Sequence, residues 1–368
     1  MGTQHLDVVT DGYPVKHLLR PENVAAYLWS IGLLSKEELA ASDIRVEDLS
    51  SKNRNYVVTT YENSYFVKQQ TSGESFTTLF PSREVEFYDV CRRIAPNLLR
   101  YLSTQVQFDK EARIVITEFL NARTLDYLLD NASDTNVHAS LGRTVAEFQI
   151  TFEGLLSNPE INALWSGESY PWILRIDELT PSVFATATQS KLRVLSLIQR
   201  EPIVMETIRT MRASWQRDCI MHGDLKLDHV LWVSDQNQDK SRIVLTDWEK
   251  VEVGDSAWDI GWIFESYISH WLRRAATTGA MPNVTSLEAT KRDIEVFWST
   301  YVASKVAAPP INRVMQAMAL RLLIRAPKFF GPLSSLPDAA KFMLDLALSI
   351  LRDPLAIGSM LVGKGTNE

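Results

Sequence analysis

The sequence predicts an α+β protein built as two lobes. A β-rich N-terminal lobe spans 1–120, led by a helix at 21–34, and a larger, mainly helical C-terminal lobe spans 121–368. Three observations carry this. Strand-like runs dominate the stretch from residue 55 to 119, an apolar helical periodicity sets in after Thr124, and the chain from about 257 onward is almost wholly helical in pattern. A length of 368 residues suits two lobes at roughly 150 residues per domain.

The elements follow in order. PENVAAYLWSIGLL (21–34) reads as a helix with Pro21 at its start, where the missing N–H does no harm. NYVVTTY (55–61) and SYFVKQ (64–69) flank Glu62 and Asn63, the pattern of a hairpin with a two-residue turn. Ser82 is placed to cap a helix through REVEFYDVCRRI, with Glu84 and Glu86 in its favourable first turn. QVQF (105–108) and RIVITEF (113–119) make another strand pair. Val137, Leu141, Val145, Phe148, Phe152 and Leu155 then fall on one helical face. HVLWV (229–233) and RIVLTDW (242–248) are two later strands joined by a polar loop.

A formal charge of −7 argues against a general nucleic-acid binder, which needs a net basic face. The two cysteines, Cys91 and Cys219, stand outside any CxxC pattern and read as buried thiols. The first residues show no basic segment followed by an apolar stretch, and no apolar run is long enough to span a bilayer. The expectation is a cytoplasmic protein with neither a membrane nor a nucleic-acid partner.

The densest polar region is MHGDLKLDHVLW (221–232) followed by VLTDWEKVEVGDSAWDIGW (244–262). Asp224 stands just before one strand and Asp247 at the end of the next, so hairpin pairing brings the two carboxylates together. Such a pair suits a division of labour: one takes a proton from an attacking hydroxyl, the other holds a divalent cation against phosphate oxygens. Lys68 ends a strand, and Glu84 follows in a helix. An ion pair between them holds the ammonium toward phosphate.

These residues resemble the aminoglycoside phosphotransferase/choline kinase family, a branch of the protein-kinase-like fold. HGDL (222–225) is similar to its catalytic loop, TDWE (246–249) to its metal-binding motif, and GDSAWDIG (254–261) to the segment whose aspartate, here Asp259, braces the loop. SLGRTVAEFQ (140–149) resembles the preceding helix, with Gln149 where His is common, and SSKNRNYVV (50–58) the phosphate-covering hairpin. The resemblance runs from about 45 to 265. It implies ATP as phosphoryl donor, Mg²⁺ or Mn²⁺ as the ion, and a hydroxyl-bearing acceptor. Asp224 deprotonates that hydroxyl, Lys226 contacts the transferred phosphate, and Asp247 binds the metal. Lys68 contacts the α and β phosphates and Glu84 positions it. Thr117, Glu118 and Leu120 belong to the segment that meets adenine, and Ser51, Lys52 and Asn55 are candidates at the phosphates.

One departure matters. The family's second metal ligand, an Asn five residues after the catalytic Asp, is His229 here; neighbouring Asp228 is one residue out of register. Imidazole suits softer metals than Mg²⁺. Four outcomes are open: His229 ligates a metal such as Mn²⁺, the site keeps a single ligand with catalysis intact, phosphoryl transfer is lost, or His229 is structural. The presence of Lys68, Glu84, Asp224 and Asp247 favours activity. The leading acceptor is a small molecule: an aminoglycoside, a choline-like compound, or a sugar or metabolite alcohol. The alternatives are a peptide Ser/Thr in a lanthipeptide-type system with a partner lyase, and a nucleotide-binding pseudokinase. Trp258, Trp262, Trp271 and Tyr267 are either core or a cage for a cationic head group. Glu249, Asp255 and Glu265 are either structural or acceptor-binding.

Overall fold

Runs rich in Val, Ile, Tyr and Phe form an antiparallel five-stranded sheet in the first of two units, residues 1–88 with 103–121. The computed structural model describes residues 18–40, 43–50, 53–70, 82–131, 135–165, 170–178, 189–235, 240–278, 284–326 and 338–363. The first unit holds α1 (Val24–Ser30), α2 (Lys36–Ala40), β1 (Arg45–Asp48), β2 (Arg54–Thr59), β3 (Ser64–Gln69), the start of α3 (Ser82–Ile94), β4 (Gln105–Asp109) and β5 (Ile114–Glu118). Strand order is β1-β2-β3-β5-β4. Leu19, Val24, Tyr27 and Leu28 pack on Tyr56, Val58, Val67, Ile114 and Ile116, which seats α1 against the sheet.

Two expectations need correction here. The helix read over 21–34 is only Val24–Ser30. Pro21 lies in a preceding turn, and the chain leaves the helix at Gly32, where Leu33 N–H reaches back to Leu28 O at 2.9 Å. The hairpin forms as expected, but its turn sits one residue earlier. Thr60 N–H bonds Asn63 O at 2.8 Å, so Tyr61 and Glu62 are the turn residues. The side chain of Ser82, read as a cap, lies outside the described residues.

The second unit comprises 89–102 with 122–368. It continues with β6 (Arg123–Thr124), α4 (Leu125–Asn131), α5 (Thr135–Glu153), α6 (Pro159–Trp165), α7 (Gln189–Arg200), α8 (Pro202–Ala213), β7 (Cys219–Met221), β8 (Val230–Asp235), β9 (Lys240–Leu245) and β10 (Glu252–Gly254). It ends with α9 (Ser256–Thr278), α10 (Val284–Ser304), α11 (Ile311–Arg325), α12 (Asp338–Arg352) and α13 (Pro354–Val362). Strands pair as β6-β8-β9 and β7-β10. On α5 the predicted face is buried from Val137 to Phe152, whereas Leu155 lies past the helix end. Both cysteines are buried thiols, and burial pushes Cys91 up to about 12. No helix among the described residues is long and apolar enough to cross a membrane.

One close approach sets the geometry of the site. A Cβ at Gly261 would lie 2.7 Å from both Ala317 Cβ and Met318 N. Glycine therefore lets α9 and α11 touch backbone to backbone. That contact brings Trp262 and Glu265 on α9 against Arg321 and Arg325 on α11.

Candidate active site

The HGDL loop is fixed from below by α9. Asp255 caps that helix, accepting Ala257 N–H at 3.0 Å. One turn on, Asp259 points its carboxylate back at the loop and accepts His222 N–H at 2.6 Å and Gly223 N–H at 3.0 Å. Burial raises the Asp259 carboxyl above its usual range, and these amides, with His222, oppose that. The loop turns at Gly223 with φ +75°, and a Cβ there would sit 2.4 Å from Lys250 O. Only glycine meets both conditions. His222 is structural: its Nδ1 accepts Asp224 N–H at 3.3 Å, its Nε2 donates to Thr246 O at 2.9 Å, and its ring lies 4.4 Å from that of Trp248.

Asp224 is 8% exposed. Lys250 Nζ is 2.8 Å from its Oδ2, and Arg321 lies 3.7 Å from Oδ1. Burial alone would raise this carboxyl. The cations outweigh it, Lys250 foremost, and hold Asp224 down at about 2. It is an ionised carboxylate at neutral pH.

Asp247 lies two residues past β9 with φ 67°, a left-handed turn that re-aims its side chain. His229 joins the two aspartates. Its Nδ1 donates to Asp224 O at 3.0 Å, and its Nε2 lies 3.2 Å from Asp247 Oδ2. Burial pushes this imidazole down to about 3 against the pull of Asp247, so the contact is not an ion pair at neutral pH. With Nδ1 donating to a carbonyl, Nε2 carries a lone pair, and it faces a carboxylate lone pair. Two acceptors at this separation fit a shared cation. Among the described residues no group of three or more His, Cys, Asp or Glu forms a metal site.

In the first unit, Lys68 Nζ and Glu84 Oε2 are 3.2 Å apart, both largely buried. Glu84 rather than Glu86 is the partner. Asn55 is on β2, with its N–H bonded to Ser50 Oγ and its buried Oδ1 unpaired among the described residues. Ser51 and Lys52 lie outside the described residues. Thr117 and Glu118 are still within β5, and Glu118 N–H bonds Thr104 O. Phe119 N–H bonds Ser64 O, so Leu120 is the first residue past the sheet ladder.

Other readings are settled by burial. Gln149, in the place of the family histidine, donates to Ser256 O and accepts from Tyr301 and Lys305, tying α5 to the start of α9. Asp228 is exposed and Lys226 partly so. Trp258, Trp262, Trp271 and Tyr267 are all buried. Asp255 is held by Arg313, and Glu265, fully buried, lies 3.6 Å from both Arg321 and Arg325. Neither is available to a cationic acceptor. Sequence reasoning missed Lys250 and Arg321. Lys250 was findable, three residues past Asp247; Arg321 had no local signal. An open groove of about 460 Å³ along α7 and α8 holds none of these residues.

Residues 46–281 match the model of the phosphotransferase enzyme family, and the chain belongs to that family. It is therefore an enzyme that transfers a phosphoryl group to a hydroxyl. No curated protein sequence matches the chain. Among solved structures, a choline/ethanolamine kinase family protein from Mesorhizobium loti is 14% identical, with a TM-score of 0.51 over 94% of this chain and 99% of that one. A spectinomycin phosphotransferase, solved with ADP and spectinomycin, is 13% identical with a TM-score of 0.50, over 83% and 92%. A microcompartment-associated aminopropanol kinase is 13% identical with a TM-score of 0.50, over 87% and 95%. These likenesses speak for a shared kinase-like fold.

Proposed function

We propose that this chain transfers the γ-phosphoryl group of ATP to a hydroxyl of a small molecule. The observation that carries the reading is the loop 222–229. Asp259 clamps its backbone, Asp224 is an ionised, nearly buried carboxylate, and one imidazole links Asp224 O to the Asp247 carboxylate. Asp224 orients the acceptor hydroxyl and takes its proton as the oxygen–phosphorus bond forms. The bond from the γ phosphorus to its bridging oxygen breaks, and ADP leaves with that electron pair. Lys226 meets the transferred phosphate. Lys68, steadied by Glu84, meets the α and β phosphates. Asn55, on β2, lies on the hairpin assigned to cover them. The backbone of 117–120, with Leu120 beyond the ladder, serves adenine.

Asp247 and His229 Nε2 would hold the divalent ion, which supplies charge neutralisation at the phosphate oxygens. The imidazole favours Mn²⁺ over Mg²⁺ as the better-supported ion. A peptide acceptor with a partner lyase gains no support from the geometry, and the pseudokinase reading does not fit the intact donor pair. Thermal shift tests the proposal. ATP with Mn²⁺ or Mg²⁺ raises the melting temperature of the wild type and not of Asp247→Ala. Absence of any shift with either metal overturns it.

A further inference from the structure

Around Asp224 the side chains are mostly cations. Lys250 and Arg321 flank its carboxylate, and Lys226 lies two residues on, with no ion pair among the described residues. Arg325 stands behind, sharing Glu265 with Arg321. Asp247 is assigned to the metal, and Asp259 is spent on backbone amides. With Lys226 assigned to the transferred phosphate, that leaves three cations, Lys250, Arg321 and Arg325, against two carboxylates, Asp224 and Glu265.

The Trp262 ring is also taken. The Arg321 guanidinium carbon lies 3.4 Å from the centre of the Trp262 ring, and Lys250 Nζ lies 5.7 Å from it. A trimethylammonium group seeking this ring would meet two fixed positive charges, a juxtaposition that costs several kcal/mol. Trp262 Nε1, buried, has no hydrogen-bond acceptor among the described residues, and the buried Arg321 Nε faces only Glu265 Oε2, at 3.6 Å. Lys250 has a side chain 44% exposed, whereas Arg321 and Arg325 are largely buried, so of these three it is the cation a ligand can reach.

Taking the phosphotransfer reading above as its basis, we infer that the acceptor carries an anionic group, a carboxylate or a phosphate, beside the hydroxyl that is phosphorylated. Lys250 binds that group, with Arg321 supplying further positive field. Lys250 then leaves the Asp224 oxygen it occupies at 2.8 Å, and that oxygen is open to the hydroxyl. Acceptor recognition and release of the base are one event.

The test uses glycerate and glycerol 3-phosphate as carboxylate and phosphate probes, with glycerol as the neutral and choline as the cationic comparison. ADP release is followed at saturating ATP with each metal. One of the two anions is expected to exceed both glycerol and choline in kcat/KM by at least about tenfold, and the better anion identifies the group. Lys250→Glu and Lys250→Met lower that preference about tenfold, mainly through KM. Glycerol or choline used as well as the anions, equal absence of turnover from all four, or an anion preference untouched in both variants overturns the inference. The nucleotide thermal shift is read in parallel. Its loss strikes the phosphotransfer reading, whereas a normal shift without anion preference strikes this inference alone.

Discussion

Gly223→Ala is the sharpest probe of how the site is built. Gly223 has φ +75°, and a left-handed backbone costs an L-residue about 1–2 kcal/mol. The new Cβ would start 2.4 Å from Lys250 O and must retreat by at least 0.6 Å to reach 3.0 Å, a limit real contacts do not cross. Relieving such an overlap typically costs about 1–3 kcal/mol. The loop has little room to yield, because Asp259 holds the amides of His222 and Gly223. The sum is about 2–5 kcal/mol. The same displacement moves Asp224, and a misplacement near 1 Å costs on the order of 100-fold in rate. Urea unfolding followed by tryptophan fluorescence, beside ATP turnover, reads both effects. A variant within about 0.5 kcal/mol of wild type and within twofold in turnover would refute this account of the loop.

Three further outcomes follow from the same geometry. Asp224 sits at about 2 against an ordinary 3.8, so its contribution to stability is present above pH 4 and is lost as pH falls toward 2. Lys250→Met raises that carboxyl, so the acid midpoint of unfolding moves up and stability at pH 7 drops. The gap of 1.8 bounds the loss near ~2.4 kcal/mol, and because Lys250 is half-exposed about 1 kcal/mol is expected; an unmoved acid midpoint speaks against the pair. His229→Asn changes the metal preference from Mn²⁺ toward Mg²⁺ in ATP turnover, and loss of activity with both metals would make the imidazole indispensable rather than interchangeable. Lys68→Met weakens nucleotide binding by roughly tenfold, measured by ATP-dependent thermal shift, and an unchanged affinity removes Lys68 from the phosphate site.

What was legible in the sequence was local or repeated in a fixed order. The strand runs, the long apolar face of α5 and the HGDL and TDWE motifs each depend on a few consecutive residues. The Lys68–Glu84 pair needs only a strand and the helix after it. What was hidden depends on tertiary contact. Arg321 reaches Asp224 because Gly261 and Ala317 let two distant helices touch, and no short pattern encodes that meeting. The same contact settled Trp262, whose spacing fitted either core or a cationic cage until Arg321 was seen against its ring. The early end of α1 was readable in principle, since Gly32 is an ordinary stop signal two residues past the last helical one. His229 was noticed as a departure, but its bond to Asp224 O, which turns Nε2 toward Asp247, needed coordinates.

The central claim is that Asp224 is the base of a phosphoryl transfer. Its most direct test is ADP release from saturating ATP and metal, with the alcohol probes above, in wild type and Asp224→Asn, with nucleotide affinity measured alongside. The account predicts that Asp224→Asn binds ATP as the wild type does and turns over at least about 100-fold more slowly. Undiminished turnover in Asp224→Asn would contradict it.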